Sequence, residues 1–151
     1  MKTTAYSFFI AAFLLISSLS SAQSTDQNYV RSRTMMNDAG TSFVDNIQYF
    51  DGLGRPSQSV IRDYESPELI SKQGYDSFGR PDKEWIPVPV ANNNGAYVPD
   101  FDSESIAFHE DNDPYNQTYY ENSPLNRALK QFGAGQVWHN KGKSVRTNHL
   151  T

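Results

Sequence analysis

Nucleophilic, metal and acid–base chemistry draw on few residue types, and this chain is poorly supplied with them. It has no cysteine and three histidines, His109, His139 and His149. No two of these stand at metal-ligand spacing. His109–Glu110 opens like a zinc-protease helix, but Asp113 stands where the second histidine should be. There is no Gly-x-Ser-x-Gly elbow and no phosphate-cradling glycine loop. Asp100, Asp102 and Glu104 alternate, and Asp111 and Asp113 follow. Spaced carboxylates of this kind can bind Ca²⁺, but the glycine of a calcium loop is missing and Pro114 interrupts, so a solvated acidic loop is expected. A glycan hydrolase would need two of Asp100, Asp102, Glu104 and Glu110 facing each other about 5–10 Å apart in a pocket. No catalytic residue, metal site or cofactor is assigned.

The residues that do recur in a pattern are structural. Asp51, Gly54, Arg55 and Pro56 return as Asp76, Gly79, Arg80 and Pro81 at a shift of 25, with Phe50 matched by Tyr75. Asp at the head of a tight turn bonds its own backbone two residues on, and Gly at the fourth position takes positive φ without steric cost. Such a corner joins two antiparallel strands through a bulge. Pro lacks an N–H and belongs at the start of the returning strand. A looser third copy runs from Tyr120 and Glu121 to Asn126 and Arg127, with two extra residues and Asn in the left-handed position. Each Arg lies across a turn from an acid, so an ion pair within the corner worth about 0–1 kcal/mol is expected rather than an anion site. Tyr49, Tyr75, Tyr119 and Tyr120 are expected to pack on the sheet rather than to stack sugars.

The elements around these corners read as strands. Residues 42–50 are rich in β-branched and aromatic types, with Phe43, Ile47 and Tyr49 on one face and Asp45 as the exception. Residues 57–64 are the returning strand. Two readings compete at 123–133. Leu125, Ala128, Leu129 and Phe132 fall on one helical face, whereas the repeat requires a hairpin. The hairpin is preferred, because a helix this short is marginal without strong packing. Residues 85–90 are held extended by Pro87 and Pro89. Residues 91–118 form a long acidic insertion, with one helical turn expected over 103–109.

Residues 1–22 read as a signal peptide: Lys2, the apolar run 8–16, and Ser20 and Ala22 ahead of a cut at Gln23. The run is too short for a membrane span, and no later segment spans either. Removing Lys2 takes the net charge from −4 to −5. With no basic stripe, nucleic-acid binding is not expected. Residues 23–40 read as a polar lead segment and 41–151 as one β-rich domain. Leu, Ile, Val and Phe supply only about a fifth of residues 23–151, a thin core.

The corners resemble the YD repeat of bacterial RHS-type proteins, Tyr-Asp, two residues, Gly-Arg. More narrowly, the chain resembles the N-terminal domain that precedes those repeats in large secreted RHS proteins. The likeness runs over residues 49–56, 74–80 and the Ser123–Pro124–Leu125–Asn126–Arg127 block. It also takes in Gly133, Ala134, Gly135, Trp138, Thr147 and Asn148, and covers about residues 28–151. Departures are Phe50 for tyrosine, and residues 85–88 where the family has an aromatic, Leu, Pro and a second aromatic. The resemblance implies a mainly β module of antiparallel hairpins with at most one or two short helices. It would lead into a shell of repeats around a C-terminal effector or toxin. The expected function is therefore an exported, non-enzymatic cap or lead-in, in the periplasm, at the cell surface or outside the cell. Its partners would be the remaining repeat shell or effector. The chain ends where the array would begin, so a truncated member or fragment is expected, with an unpaired edge prone to self-association. The alternative is a small secreted glycan-binding or glycan-hydrolysing domain.

Overall fold

A computed structural model describes residues 26–63 and 66–149. The expected signal peptide lies outside them. The described chain runs β1 (Asn28–Met35), β2 (Phe43–Phe50), β3 (Pro56–Asp63), β4 (Glu68–Tyr75), β5 (Pro81–Trp85), β6 (Val88–Val90), α1 (Phe101–His109), β7 (Tyr115–Tyr120), β8 (Ala128–Phe132), α2 (Gln136–Asn140) and β9 (Ser144–Arg146). The sheet order is β1-β2-β3-β4-β5-β7-β8-β9, with β6 also on β4. Every pairing is antiparallel. Among the described residues the fold is thus mainly antiparallel β with two short helices, as the sequence implies. Because the strands alternate, β2, β4 and β7 run the same way, and the corners that follow them gather at one end of the sheet. Residues 86–114 and α2 connect strands at the other end.

The core lies on one face. Ile47, Tyr49, Val60 and Ile70 are fully buried there, with Trp85, Val88 and Tyr115 nearly so. Alternation along each strand puts these residues on one side. They are covered by Val98 and Phe101, with Tyr97 and Ile106 packed beside them. Trp85 stacks edge-on to Phe101 at 6.1 Å and tilts against Tyr115 at 4.8 Å. The opposite face is mixed: Ser59 and Ser71 share a hydroxyl hydrogen bond of 2.7 Å beside Gln48 and Gln73, and farther along Ile61 and Leu69 pair there half-exposed.

Four regions take on detail that the sequence pattern alone does not give. Within the segment read as a polar lead, β1 pairs with β2 along eight positions. Asp45 is the polar exception on its face and is fully buried beside Ile47 and Tyr49. It is tolerated because Arg31 and Arg33 of β1 both bond its carboxylate, Arg33 through Nε at 2.7 Å and Nη2 at 2.8 Å. The insertion 91–118 is a lid more than a loop. Tyr49 Oη donates to the Gly95 carbonyl (2.6 Å), Gln58 exchanges two hydrogen bonds with Val98 (3.0 and 2.8 Å), and Glu68 accepts from Gly95 N (2.8 Å). The turn expected over 103–109 is a full helix from Phe101, with Phe101 and Ser105 on its buried side and Asp102 and Glu104 in the first turn, where the helix dipole favours acids. Residues 123–133 do form the hairpin, with Asn126 at φ +52°.

Candidate functional site: a ladder of hairpin corners

Each corner is built by one acid. The Asp51 carboxylate accepts from Leu53 N and Arg55 N, both at 2.9 Å, and from Arg55 Nε at 2.7 Å. Asp76 repeats this with Phe78 N, Arg80 N and Arg80 Nε at the same three distances. The turns close through Gly54 N to Asp51 O and Gly79 N to Asp76 O, both 2.9 Å, with the glycines at φ +76° and +81°. In the third corner two residues divide the work. Glu121 takes Arg127 Nε at 2.9 Å, and Ser123 Oγ, bonded to Glu121 at 2.6 Å, accepts from Leu125 N at 3.2 Å. The longer acid and the hydroxyl span the two-residue insertion. The ion pairs expected within the corners are therefore present.

These bonds fix the charge state of the corner acids. Hydrogen bonds from the Arg127 guanidinium and from Ser123 hold Glu121 down at about 2. Asp51 is lowered chiefly by the Arg55 N–H and guanidinium. Burial pushes Asp76 up, but its hydrogen bonds to Arg80 and Phe78 outweigh this, and it too is lowered. Asp45, on β2, is held at about 2 mainly by its hydrogen bonds to Arg33, against desolvation.

The corners are also coupled to one another, in one direction. The Arg55 guanidinium lies 4.2 Å from the centre of the Tyr75 ring, and Tyr75 Oη donates to the Pro56 carbonyl at 2.7 Å. One hairpin later, Arg80 lies 4.7 Å from the Tyr120 ring, and Tyr120 Oη donates to the Pro81 carbonyl at 2.8 Å. The leading guanidinium also touches the next turn. Arg55 Nη1 comes within 2.8 Å of where a side chain on Gly79 would begin. At the matching place Arg80 Nη1 donates to the Glu121 carbonyl (3.0 Å) and to Asn126 Oδ1 (3.3 Å). Gly79 admits the arginine by having no side chain, and Asn126 admits it by accepting a hydrogen bond. Gly54, which no arginine precedes, has open space there.

Two members of this arrangement are invisible to motif reading. Gln48 and Gln73 each bracket the bulge before their corner. Gln48 Nε2 donates to the carbonyls of Tyr49 and Gln58, both 3.0 Å, and Gln73 Nε2 to those of Gly74 (2.8 Å) and Lys83 (2.9 Å). The strand register slips at these bulges, between Tyr49 and Phe50 and between Gly74 and Tyr75. The pair obeys the same shift of 25 as the corners, which is the signal that could have found it. The second is His149. The β3–β4 and β5–β7 registers, continued toward the corners, set Tyr75 opposite Arg55 and Tyr120 opposite Arg80. The β8–β9 register sets His149 opposite Arg127. Its Nε2 donates to the Ala128 carbonyl at 3.2 Å, the residue after Arg127, as each tyrosine does to the proline after its arginine. Only strand pairing reveals that His149 stands in a tyrosine's place.

The four acids weighed for glycan hydrolysis face solvent or a lysine. Lys72 Nζ binds Asp102 at 2.6 Å, and Asp100, Glu104 and Glu110 are exposed. None of these four acids lines the described hollows. His139 Nδ1 stands 3.8 Å from Asp113, while Asp111 accepts from Asp113 N and Gln136 N and so joins the start of α2 to the end of the lid. Among the described residues no group of three His, Asp or Glu side chains is placed to hold a metal. Among them too, no helix is long and apolar enough to cross a membrane.

No curated protein and no solved structure matches the chain. A family model described as a domain of unknown function, DUF6443, matches residues 22–151, nearly the whole of the sequence, and the chain belongs to that family.

Proposed function

We propose that the chain is an exported, non-enzymatic structural module that starts a longer sheet of YD-type hairpins, the lead-in of an RHS-type shell. The observation that carries this reading is the direction of the ladder. The arginines of the first two corners are each completed by a tyrosine of the following hairpin, and the β8–β9 register sets His149 opposite the third, Arg127. A device that hands each hairpin to the next suits the beginning of a repeat array, where nearest-neighbour contacts carry the stability. The partner on this reading is a further hairpin laid against β9, and beyond it the shell and its effector. Export is supported by Lys2, the apolar run 8–16 and the small residues before Gln23.

The test extends the chain past Thr151 with one hairpin whose corner carries Asp-x-x-Gly-Arg. Amide exchange at Val145 and Arg146 is then compared with the unextended chain. The expected result is slower exchange there and a higher thermal midpoint. Unchanged exchange along β9 overturns the reading.

A further inference from the structure

The three corners repeat an apolar side chain at one position, and in the second corner it lies 5.0 Å from the Arg80 guanidinium. The residue before the left-handed position is Leu53 in the first, Phe78 in the second and Leu125 in the third. Their exposures are 79%, 71% and 68%. Turn positions of this kind ordinarily carry polar residues. A single exposed leucine needs no explanation. Three apolar side chains at one repeated position form an ordered row, because β2, β4 and β7 deliver all three corners to the same end of the sheet. Successive corners are two strand spacings apart, about 10 Å. Between the second and third lies a hollow of about 330 Å³ lined by Phe78, Arg80, Asn122, Ser123, Pro124 and Asn126.

We propose that this corner edge is a contact surface for a second copy of this chain, ridge against ridge. Three properties select that occupant. A second copy carries knobs at the same period, so two of the three tips can enter the gaps between tips in register, and the hollow beside Phe78 lies on the same edge as the knobs, as a two-fold contact requires. The formal charges of the corners are cancelled within them, by Asp51–Arg55, Asp76–Arg80 and Glu121–Arg127, so like edges do not repel. The same neutrality offers nothing to a phosphate-bearing surface. The area sets the strength. Three such side chains bury roughly a few hundred Å² per copy, against roughly 800 Å² per partner in a stable interface. The contact is therefore weak in one copy and gains by repetition in register. It uses the ends of the strands and not the free side of β9, so it stands whether or not the proposed function does.

The experiment is sedimentation velocity over a concentration series, on protein purified from a host expressing residues 1–151. Three forms are compared: the unaltered chain, the triple variant Leu53→Ser/Phe78→Ser/Leu125→Ser, and Val145→Lys on β9. The expected result is reversible dimerisation, weakened about tenfold or more in the triple variant at an unchanged thermal midpoint and retained in Val145→Lys. Four results overturn the proposal. One is a chain that stays monomeric to its solubility limit. Another is association that survives the triple substitution. The third is association lost in Val145→Lys alone, which assigns it to the strand edge. Tip-dependent binding to phosphatidylcholine vesicles by a chain monomeric in solution also overturns it, in favour of a lipid surface.

Discussion

The two ends of the sheet are held by different means. Around β2, β3 and β4 the core face is sealed by Val98 and Phe101, and Ile47, Tyr49, Val60, Ile70 and Phe101 have no exposed surface. Around β8 and β9 none of the strand residues is buried. What remains there is the corner chemistry, with Phe132 against Tyr119 and His139. The corners are nearly the same all across the sheet, while the core is not. The repeat therefore sets the hairpin pairings β2–β3, β4–β5 and β7–β8, and apolar burial adds stability only where the lid reaches.

Removing the lid's anchor should break this contrast most strongly. Phe101→Ala empties the centre of the buried end and is expected to cost about 3–5 kcal/mol. It should lower the thermal midpoint of the whole chain while leaving the exchange rates at β8 and β9 least changed, as read by hydrogen exchange.

Asp45→Ala comes next, at about 2 kcal/mol, because it removes charge-assisted hydrogen bonds from a buried acceptor. Arg31 and Arg33, each about a third exposed, can turn to water. The same carboxylate sets an acid limit. A group whose value is lowered on folding adds stability above its ordinary value and loses it as the pH falls through the folded one. For Asp45 that window runs from 3.8 down to about 2, and for Glu121 from 4.5 down to about 2. Thermal midpoints should fall across this range, and Asp45→Ala should flatten the fall.

Gly79→Ala and Gly54→Ala isolate the ladder. Both force a side chain into a left-handed backbone, for about 1–2 kcal/mol. Gly79→Ala also displaces the Arg55 guanidinium and should cost about 0.5–1 kcal/mol more. In an Arg55→Ala background the two glycine variants should become equal; a difference that persists there removes the ladder contact as its cause. The smallest effect is expected from His149→Tyr. Restoring the ring under Arg127 should stabilise the far end by about 0.5–1 kcal/mol, visible as slower exchange at β9 with little change in the core.

The corners were legible in the sequence because their chemistry is local. Asp51, Gly54 and Arg55 find one another within five residues, and the same is true of the second copy. Asn126 was readable for the same reason, since few residues accept a left-handed backbone. The rest depended on distant partners. β1 has no apolar alternation, and its place is fixed by Arg31 and Arg33 meeting an acid 14 and 12 residues away. The lid looked like a solvated loop because its attachments, Tyr49 to Gly95 and Gln58 to Val98, are polar and span 46 and 40 residues. His149 could not be placed until the register of β8 and β9 was known.

The one-way ladder also gives folding an order in time. Hairpins that contact only their neighbours can form as they emerge, and contacts close in sequence form fastest. In a chain appearing from its N-terminus, each new arginine waits for one more hairpin to bring its ring. The growing sheet thus always carries a single unfinished rung at its leading edge. The core follows a different clock: Tyr49 cannot be sealed until Gly95 has arrived, 46 residues later. Strand pairing should run ahead of burial, so that the corners template a sheet whose interior is closed last.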